Sequence, residues 1–328
     1  MTVAVTVERP TAVTPSRGPR GLVWAMLRLH RSALWFWLLL VAAGAGALLW
    51  AYGPGSDAAW AEYRAMDCDN PNRGMGCDIP GPAFTLYDRA LSVGAGLLNL
   101  VPLLTAAWAG GALIGRELES GTARLAWTQS VSPVRWLAAK LAVPAALLVA
   151  GTLVLTLLHR LLWSSDARLR LTFGLREWHE GSTFVANGTL ATAYALLGLA
   201  VGALVGLLVQ RALPALGTAL VGLFALRLGF GDLRPHLWPT ETVTSEPMGM
   251  VTDEGALTST GARVPIPDCA GEPGCLAARD ITGFYADYHP ASHFWPLQLM
   301  ETGIVLAVAA LAVLIAFRLL RRRTGAAV

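Results

Sequence analysis

The sequence predicts an all-α integral membrane protein with six transmembrane helices. Of its 328 residues, 54% are hydrophobic and only 14% are charged, whereas soluble globular domains carry about 25% charged residues. Several apolar runs also approach the roughly 20 residues that an α-helix needs to cross a bilayer. This composition excludes a disordered chain, a small secreted disulfide-rich domain and a typical cytosolic enzyme.

Six windows of high hydropathy mark the candidate spans. They lie at 33–51, 93–114, 136–158, 190–209, 212–228 and 303–317. Only Gln210, Arg211 and the nearby Pro214 separate the fourth window from the fifth, so these two spans should form a tight helical hairpin. We therefore expect a single transmembrane domain at 33–320, with cytoplasmic tails at 1–32 and 321–328.

The distribution of charge predicts the orientation of the helices. An even number of spans puts both termini on one side, and that side carries 14 of the 25 Lys and Arg residues. It carries only three of the 22 acids, Glu8, Glu117 and Glu119. Basic residues concentrate on the cytoplasmic side of membrane proteins. We therefore predict a multi-pass protein of the cell membrane with cytoplasmic N and C termini, whose outer loops are 52–92, 159–189 and 229–302.

The four cysteines agree with this orientation. Cys68 and Cys77 lie in the first predicted outer loop, and Cys269 and Cys275 lie in the last one. Disulfides persist on the non-cytoplasmic side of a membrane. Four cysteines allow three pairings, and we favour the two local ones, Cys68–Cys77 and Cys269–Cys275. A four-thiolate zinc site is the alternative, but the close C-x₂₋₄-C spacing typical of such sites is missing. We expect 229–302 to form a long outer segment pinned by its disulfide.

The sequence lacks the common motifs of a catalytic or ATP-binding chain. It contains no G-x-x-x-x-G-K-[ST] phosphate loop, no H-E-x-x-H and no G-x-S-x-G motif. The spans also lack the carboxylate near mid-membrane that a proton-coupled transporter normally needs. Asn99 and Pro102 are the polar and helix-breaking residues at depth, and we interpret them as a helix contact and a kink. We expect no catalytic residue, cofactor, metal ion or nucleic-acid partner for this chain.

The predicted cytoplasmic loop at 115–135 contains the most informative pattern. From residue 115 to 140 the sequence is GRELESGTARLAWTQSVSPVRWLAAK. Glu117 and Glu119 end the helix that continues from the second span, and Gly121 should break that helix. Thr122 can then cap a short new helix that runs to residue 128. The pattern predicts a short transverse helix between the second and third spans.

This loop resembles that of ABC-2 type permeases, the membrane subunits of one class of ABC transporter. The shared pattern is E-x-E-x-G-T-x-R-L-x-W-x-Q-S-V-x₃-R-W-x₃-K, and it is most similar to the group common in high-GC bacteria. The run Trp24-x₃-Arg28-x-His30-Arg31 resembles the amphipathic helix that leads into the first span in that group. The stretch YHPASHFWPLQ at 288–298, followed by Glu301, resembles its lead into the last span.

The resemblance implies a non-catalytic exporter subunit that works with other chains. ATP and Mg²⁺ would be bound by a separate ABC-type ATPase subunit, and a second permease chain, identical or related, would complete the path. The substrate is unidentified, and an amphipathic or hydrophobic one moved outward suits the apolar spans. The residues that the resemblance assigns to the contact with the ATPase are Glu117, Glu119, Gly121, Thr122, Gln129, Ser130 and Arg135.

Three other interpretations fit the residues. The acids of the 115–135 loop could only cap a helix, without binding a partner. The chain could be a membrane sensor or assembly protein that uses its outer loops as a receptor and has no transport path. It could also be an outward-facing membrane enzyme that uses His236, His289 and His293 with carboxylates. The i, i+4 spacing of His289 and His293 would suit a zinc site on one helical face, or an interfacial cluster with the neighbouring aromatic residues.

Overall fold

The protein is mostly helical, and six of its helices are long and apolar enough to cross a bilayer. The computed structural model describes residues 18–68, 81–129, 131–165, 169, 177–245, 249–269 and 274–325. The helices are α1 (Gly18–Leu29), α2 (Arg31–Ala65), α3 (Pro82–Glu119), α4 (Thr122–Gln129), α5 (Pro133–Ser165), α6 (Gly181–Ala186), α7 (Leu190–Val209), α8 (Ala212–Leu233), α9 (Cys275–Ala278) and α10 (Phe294–Thr324). The strands are β1 (Glu241–Val243), β2 (Met250–Thr258), β3 (Arg263–Val264) and β4 (Ile281–His289).

The six long helices are α2, α3, α5, α7, α8 and α10, which agrees with the predicted number of spans. Because the number of long helices is even, α1 and the end of α10 lie at the same end of the bundle, which we call the terminal end. α4 follows the second long helix and therefore lies at that end as well. The strands lie at the other end, which we call the sheet end.

The helices extend beyond the apolar windows into the predicted outer loops. α2 continues past its predicted end at residue 51 through a wide π-helical turn, Ala51–Gly55, and ends at Ala65. Near that end, Glu62 accepts a hydrogen bond from the backbone N–H of Phe84 in the first turn of α3, at 2.8 Å. Much of the predicted 52–92 loop is therefore helical. Hydropathy windows detect only the apolar centre of a helix, since polar turns at its ends lower the average.

Three glycines bring α7 into direct contact with α3. Gly198, Gly202 and Gly206 recur every four residues and form one face of α7. A Cβ atom would lie 2.4 Å from the Pro102 carbonyl oxygen if added to Gly198, and 2.5 Å from the Ala106 carbonyl oxygen if added to Gly202. Small residues at this spacing let membrane helices pack backbone against backbone. α7 is thus the most enclosed of the six long helices, whereas α2 and α8 are largely exposed.

The prediction of an all-α chain is wrong for residues 241–289. This segment contains a four-stranded antiparallel sheet with strand order β1-β4-β2-β3. A window of about 19 residues averages over such short elements and cannot detect them. Ala256 on β2 and Ala286 on β4 lie on the same face of the sheet and are both buried, so the sheet has a packed face. The predicted long outer loop is therefore a small folded unit.

The disulfide predicted in this segment is confirmed. Cys269 and Cys275 are bonded, with their Cα atoms 5.8 Å apart, inside the usual range for a disulfide. It closes a short loop just before α9. Cys68 is also disulfide-bonded, but its predicted partner, Cys77, lies outside the described residues.

A carboxylate on β4 connects three strands of the sheet. The hydroxyl of Thr242 on β1 donates a hydrogen bond to Asp287, and Arg263 on β3 forms an ion pair with it at 2.7 Å. The hydrogen bond from Thr242 and that from the Arg263 guanidinium hold the pKa of Asp287 below its ordinary value. The ionised form of Asp287 therefore stabilises the folded sheet.

Asp287→Asn should destabilise the protein near neutral pH but not in strong acid. A carboxylate with a lowered folded-state pKa stabilises fully above its unfolded-state pKa of about 3.9, and this effect disappears as the pH falls through the folded-state pKa. We expect a lower unfolding temperature for the variant at about pH 6 and a smaller difference at about pH 3, by thermal unfolding in detergent. The matched control is Asp232→Asn, at an exposed position on α8. Equal destabilisation of Asp287→Asn at both pH values would contradict this assignment.

Candidate functional site

The segment between α3 and α5 changes direction at a glycine. α3 ends at Glu119, and Gly121 has a φ of +74°, a left-handed conformation that glycine adopts without a Cβ clash. The N–H of Gly121 donates to the Leu118 carbonyl at 3.3 Å and closes the turn. α4 then begins at Thr122, so this short helix crosses the terminal end between two long helices.

Thr122 does not act as the helix cap that its position predicts. Its hydroxyl lies 3.3 Å from the Glu117 carbonyl oxygen, to which it donates, and 3.0 Å from the hydroxyl of Ser120. Both contacts lead back to the end of α3. Thr122 therefore fixes the angle between α3 and α4.

α4 has one fully buried residue and a broad exposed face. Ala123 is fully buried in the apolar core of the terminal end. Arg124, Leu125, Thr128 and Gln129 are exposed, and 59% of Leu125 is accessible. Arg135, at the start of α5, is also exposed, whereas Ser130 lies outside the described residues. The segment thus presents a mixed basic, polar and apolar surface.

Glu117 points into the protein, toward the chain's one lysine. Its Oε1 lies 2.5 Å from Nζ of Lys140 on α5, whose side chain is 1% exposed, and its Oε2 accepts a hydrogen bond from the Trp136 indole at 3.1 Å. Lys140 Nζ also lies 3.4 Å from Nε2 of His30, between α1 and α2. Burial, reinforced by the Lys140 ammonium group, lowers the pKa of His30, which favours the neutral ring that can accept this hydrogen bond.

Glu119 is also engaged within the chain. Its Oε2 accepts a hydrogen bond from the backbone N–H of Ala212, the first residue of α8, at 2.8 Å. Carboxylates are favourable at a helix N-terminus because they accept from otherwise unpaired N–H groups. Glu117 and Glu119 therefore connect the end of α3, next to the start of α4, to α5, α8 and the α1–α2 junction. The exposed side chains of α4 are the ones free to meet another molecule.

A second polar cluster lies at the sheet end, and the sequence pattern does not reveal it. Glu301 on α10 is fully buried. It accepts hydrogen bonds from Arg234 at 2.7 and 3.1 Å and from the Tyr194 hydroxyl at 2.6 Å. The cluster joins α7, the turn after α8, and α10. Its members lie far apart in the sequence. The one sequence signal that could have predicted the cluster is that each member lies near the end of a predicted helix.

Asn99 and Arg227 form the adjoining part of this cluster. The Arg227 guanidinium donates to the Asn99 carbonyl oxygen at 2.5 Å and to its side-chain oxygen at 2.7 Å. The Asn99 amide donates in turn to the Ser182 carbonyl on α6, at 3.0 Å. Asn99 is therefore a junction of three helices, which is more than the simple helix contact predicted for it.

The predicted histidine pair makes contacts that connect the sheet to the bundle. His289 is buried, and its Nε2 lies 2.9 Å from the Pro235 carbonyl oxygen, just after α8. Its Nδ1 lies 3.1 Å from Nδ1 of His293, whose Nε2 lies 3.3 Å from Glu241 on β1. The third histidine of the enzyme interpretation, His236, is exposed. Among the residues that the structure describes, no three His, Cys, Asp or Glu side chains are grouped to hold a metal ion.

These features define a multi-pass helical membrane protein with a transverse helix at one end and a small sheet at the other. The family model described as ABC-2 membrane transporter related matches residues 38–234, which is more than half of the chain. The chain belongs to this family, which confirms the predicted resemblance to ABC-2 type permeases. The match covers α2 to α8, including α4. No curated protein and no solved structure matches the chain.

Glu117→Gln should strongly destabilise the protein, because it leaves the buried Lys140 ammonium without its counter-charge. Removing one partner of a buried ion pair costs about 3–5 kcal/mol, whereas an apolar replacement of the whole pair is often neutral. We therefore expect Lys140→Met to restore most of the lost unfolding free energy in the double variant. Denaturant titration in detergent micelles, followed by tryptophan fluorescence, measures both.

The matched control for Glu117→Gln is Glu119→Gln. It removes the same charge two residues away but retains an oxygen that can accept from Ala212. The loss of unfolding free energy in Glu119→Gln should stay below about 1 kcal/mol. Equal costs for the two variants, or no rescue by Lys140→Met, would show that the ion pair does not stabilise this loop.

Glu301→Gln should also strongly destabilise the protein, because Arg234 would lose its carboxylate partner. We expect a loss of about 3–5 kcal/mol in unfolding free energy, against about 1.5–3 kcal/mol for Tyr194→Phe, which removes one hydrogen bond to a charged group. Thr302→Val provides the control, since it removes a neutral hydrogen bond to Thr189 one residue along α10 and should cost about 1 kcal/mol. Denaturant titration measures the unfolding free energy of all three variants. If Glu301→Gln lowers it no more than Thr302→Val does, this ranking is contradicted.

Proposed function

We propose that this chain is the membrane-spanning subunit of an ABC-2 type exporter, powered by ATP hydrolysis in a separate subunit. Membership of the family supports a permease role. The observation that carries the proposal is α4, a short helix with an exposed face, fixed between two long helices. A helix held in this way can receive a push from a partner at the membrane surface and pass it to the bundle.

In this proposal the terminal end faces the cytoplasm. The excess of arginine in the segments at that end supports this orientation. The disulfide between Cys269 and Cys275 lies at the sheet end, which suits an oxidising outer compartment. The protein would therefore lie in the cell membrane with both termini inside.

Movement of α4 would be transmitted through its buried base. Thr122 connects α4 to the end of α3. From there the Glu117–Lys140 ion pair reaches α5, and the contact between Glu119 and Ala212 reaches α8. ATP binding and hydrolysis in the partner would thus shift several spans together. The exposed residues Arg124, Leu125 and Gln129 would form the contact surface, while Glu117 and Glu119 act as positioning residues behind it.

The path for substrate would form between this chain and a second permease chain, identical or related. α2 and α8 are the least enclosed of the long helices, so they offer surface for that partner as well as for lipid. An amphipathic or hydrophobic cargo suits their apolar character. ATP and Mg²⁺ would bind to the ATPase subunit, and this chain would contribute no catalytic group.

Reversing the charge of α4 should release the ATPase. Purification of the tagged chain from its native host in mild detergent should yield a soluble P-loop ATPase close to one-to-one. Arg124→Glu should reduce its recovery about tenfold, which corresponds to about 1.4 kcal/mol of binding free energy. Arg321→Glu is the matched control, since it makes the same exposed change at the same end, on α10. Glu117→Arg is a poorer test, because it would place a second cation beside buried Lys140.

Two outcomes would contradict the exporter proposal. If the folded chain is recovered alone or with signalling proteins, the ATPase partner is absent and the sensor interpretation is favoured. If an ATPase is recovered equally with Arg124→Glu and Arg321→Glu, it binds elsewhere than α4.

A further inference from the structure

A groove on the surface of the bundle contains a cationic end that the transport proposal does not use. It runs between α3 and α8 near the sheet end, and its volume is about 370 Å³. Its walls are apolar and include Leu100, Phe224 and Leu228, which are 46%, 52% and 56% exposed. Asn99 and Arg227 form its polar end. The groove therefore has the amphipathic lining that a lipid-like molecule requires.

The charges around this groove do not balance. Arg227 and Arg234 belong to one cluster with a single carboxylate, Glu301. Arg234 and Tyr194 engage both oxygens of Glu301. Arg227 instead donates to the neutral oxygens of Asn99 and lies over the Tyr194 ring. Within the described ranges, no carboxylate forms an ion pair with Arg227, so the cluster carries one excess positive charge.

The excess positive charge of this cluster is energetically unfavourable at its position in the membrane. An unpaired cation beside hydrocarbon is strongly unfavourable unless an anion or water reaches it. The rise of an α-helix, about 1.5 Å per residue, puts Arg227 about 22 Å from Ala212 at the start of α8. The hydrocarbon core is about 30 Å thick, so Arg227 lies in the leaflet at the sheet end, within a side chain's length of its headgroups. A lipid headgroup of that leaflet can reach it.

We propose that the groove binds one anionic phospholipid of the surrounding bilayer. Its phosphate accepts hydrogen bonds from the Arg227 guanidinium, since arginine presents a planar set of donors that matches phosphate oxygens. One acyl chain lies along the wall formed by Leu100 and Phe224. A monoanionic lipid neutralises the excess charge of the cluster, whereas a zwitterionic lipid brings its own cation and does not. The site is independent of whether the chain exports anything.

Gly96 provides a way to close the groove without touching its charge. It lines the groove on α3, and a Cβ atom added there meets nothing within 4 Å. Gly96→Leu should therefore fold normally and fill the space needed by the acyl chain. Gly303→Leu on α10 is its matched control, because a Cβ at Gly303 also meets nothing within 4 Å. The control for Arg227→Gln is Arg89→Gln, at an exposed arginine on α3 outside the groove.

The experiment measures lipid binding to the full chain by native mass spectrometry. The delipidated protein in detergent is given dioleoylphosphatidylglycerol or dioleoylphosphatidylcholine, and bound lipid is counted for each variant. The wild type and both controls should hold one phosphatidylglycerol with a preference of about tenfold over phosphatidylcholine. In Arg227→Gln that preference should fall to about twofold or less, and in Gly96→Leu the bound lipid itself should be lost.

Three results would overturn the proposal. The first is equal binding of the two lipids to the wild type. The second is either an unchanged preference in Arg227→Gln or retained lipid in Gly96→Leu, so that only one of these variants needs to fold. The third is binding of laurate, a single-chain anionic amphiphile, without binding of phosphatidylglycerol, which would assign the groove to a cargo molecule instead of a bilayer lipid.

Discussion

The close approach of α7 to α3 is the constraint on which the rest of the structure depends. The glycine face of α7 lets its backbone touch the carbonyl groups of α3, and a side chain there would have no room. Lipid supplies no hydrophobic force that drives helices together, so van der Waals contact of this kind largely determines their arrangement. With α7 and α3 fixed at this distance, the ends of α5, α8 and α10 are brought into register on both sides of the pair.

That register makes the two polar clusters possible. Glu117 meets Lys140 at the terminal end, and Glu301 meets Arg234 at the sheet end, because helices distant in the sequence arrive at matching depth. Buried ion pairs seldom add much net stability, since desolvation offsets their attraction, but an unpaired member is very unfavourable. The clusters therefore penalise alternative arrangements of the helices.

The sheet is a small folded unit beside the bundle. The family match ends at residue 234, before β1, and does not cover it. The His289–His293 contact and Glu241 connect the sheet to the start of α10 and to the end of α8. A folded unit at this position can shield the sheet-end cluster from water, which strengthens the ion pair between Arg234 and Glu301.

The sequence by itself determined the membrane class, the six spans, the break at Gly121, the family and the Cys269–Cys275 disulfide. Each of these depends on local composition or on spacing over a few residues, which hydropathy, turn chemistry and motif comparison detect. Only the tertiary structure decided that Glu117 and Glu119 face inward, that Glu301 is buried among Arg234 and Tyr194, and that residues 241–289 form a sheet. Those features depend on contacts between residues 23 to 107 positions apart. The direction of a side chain and the pairing of short strands are set by such partners, and no local pattern specifies them.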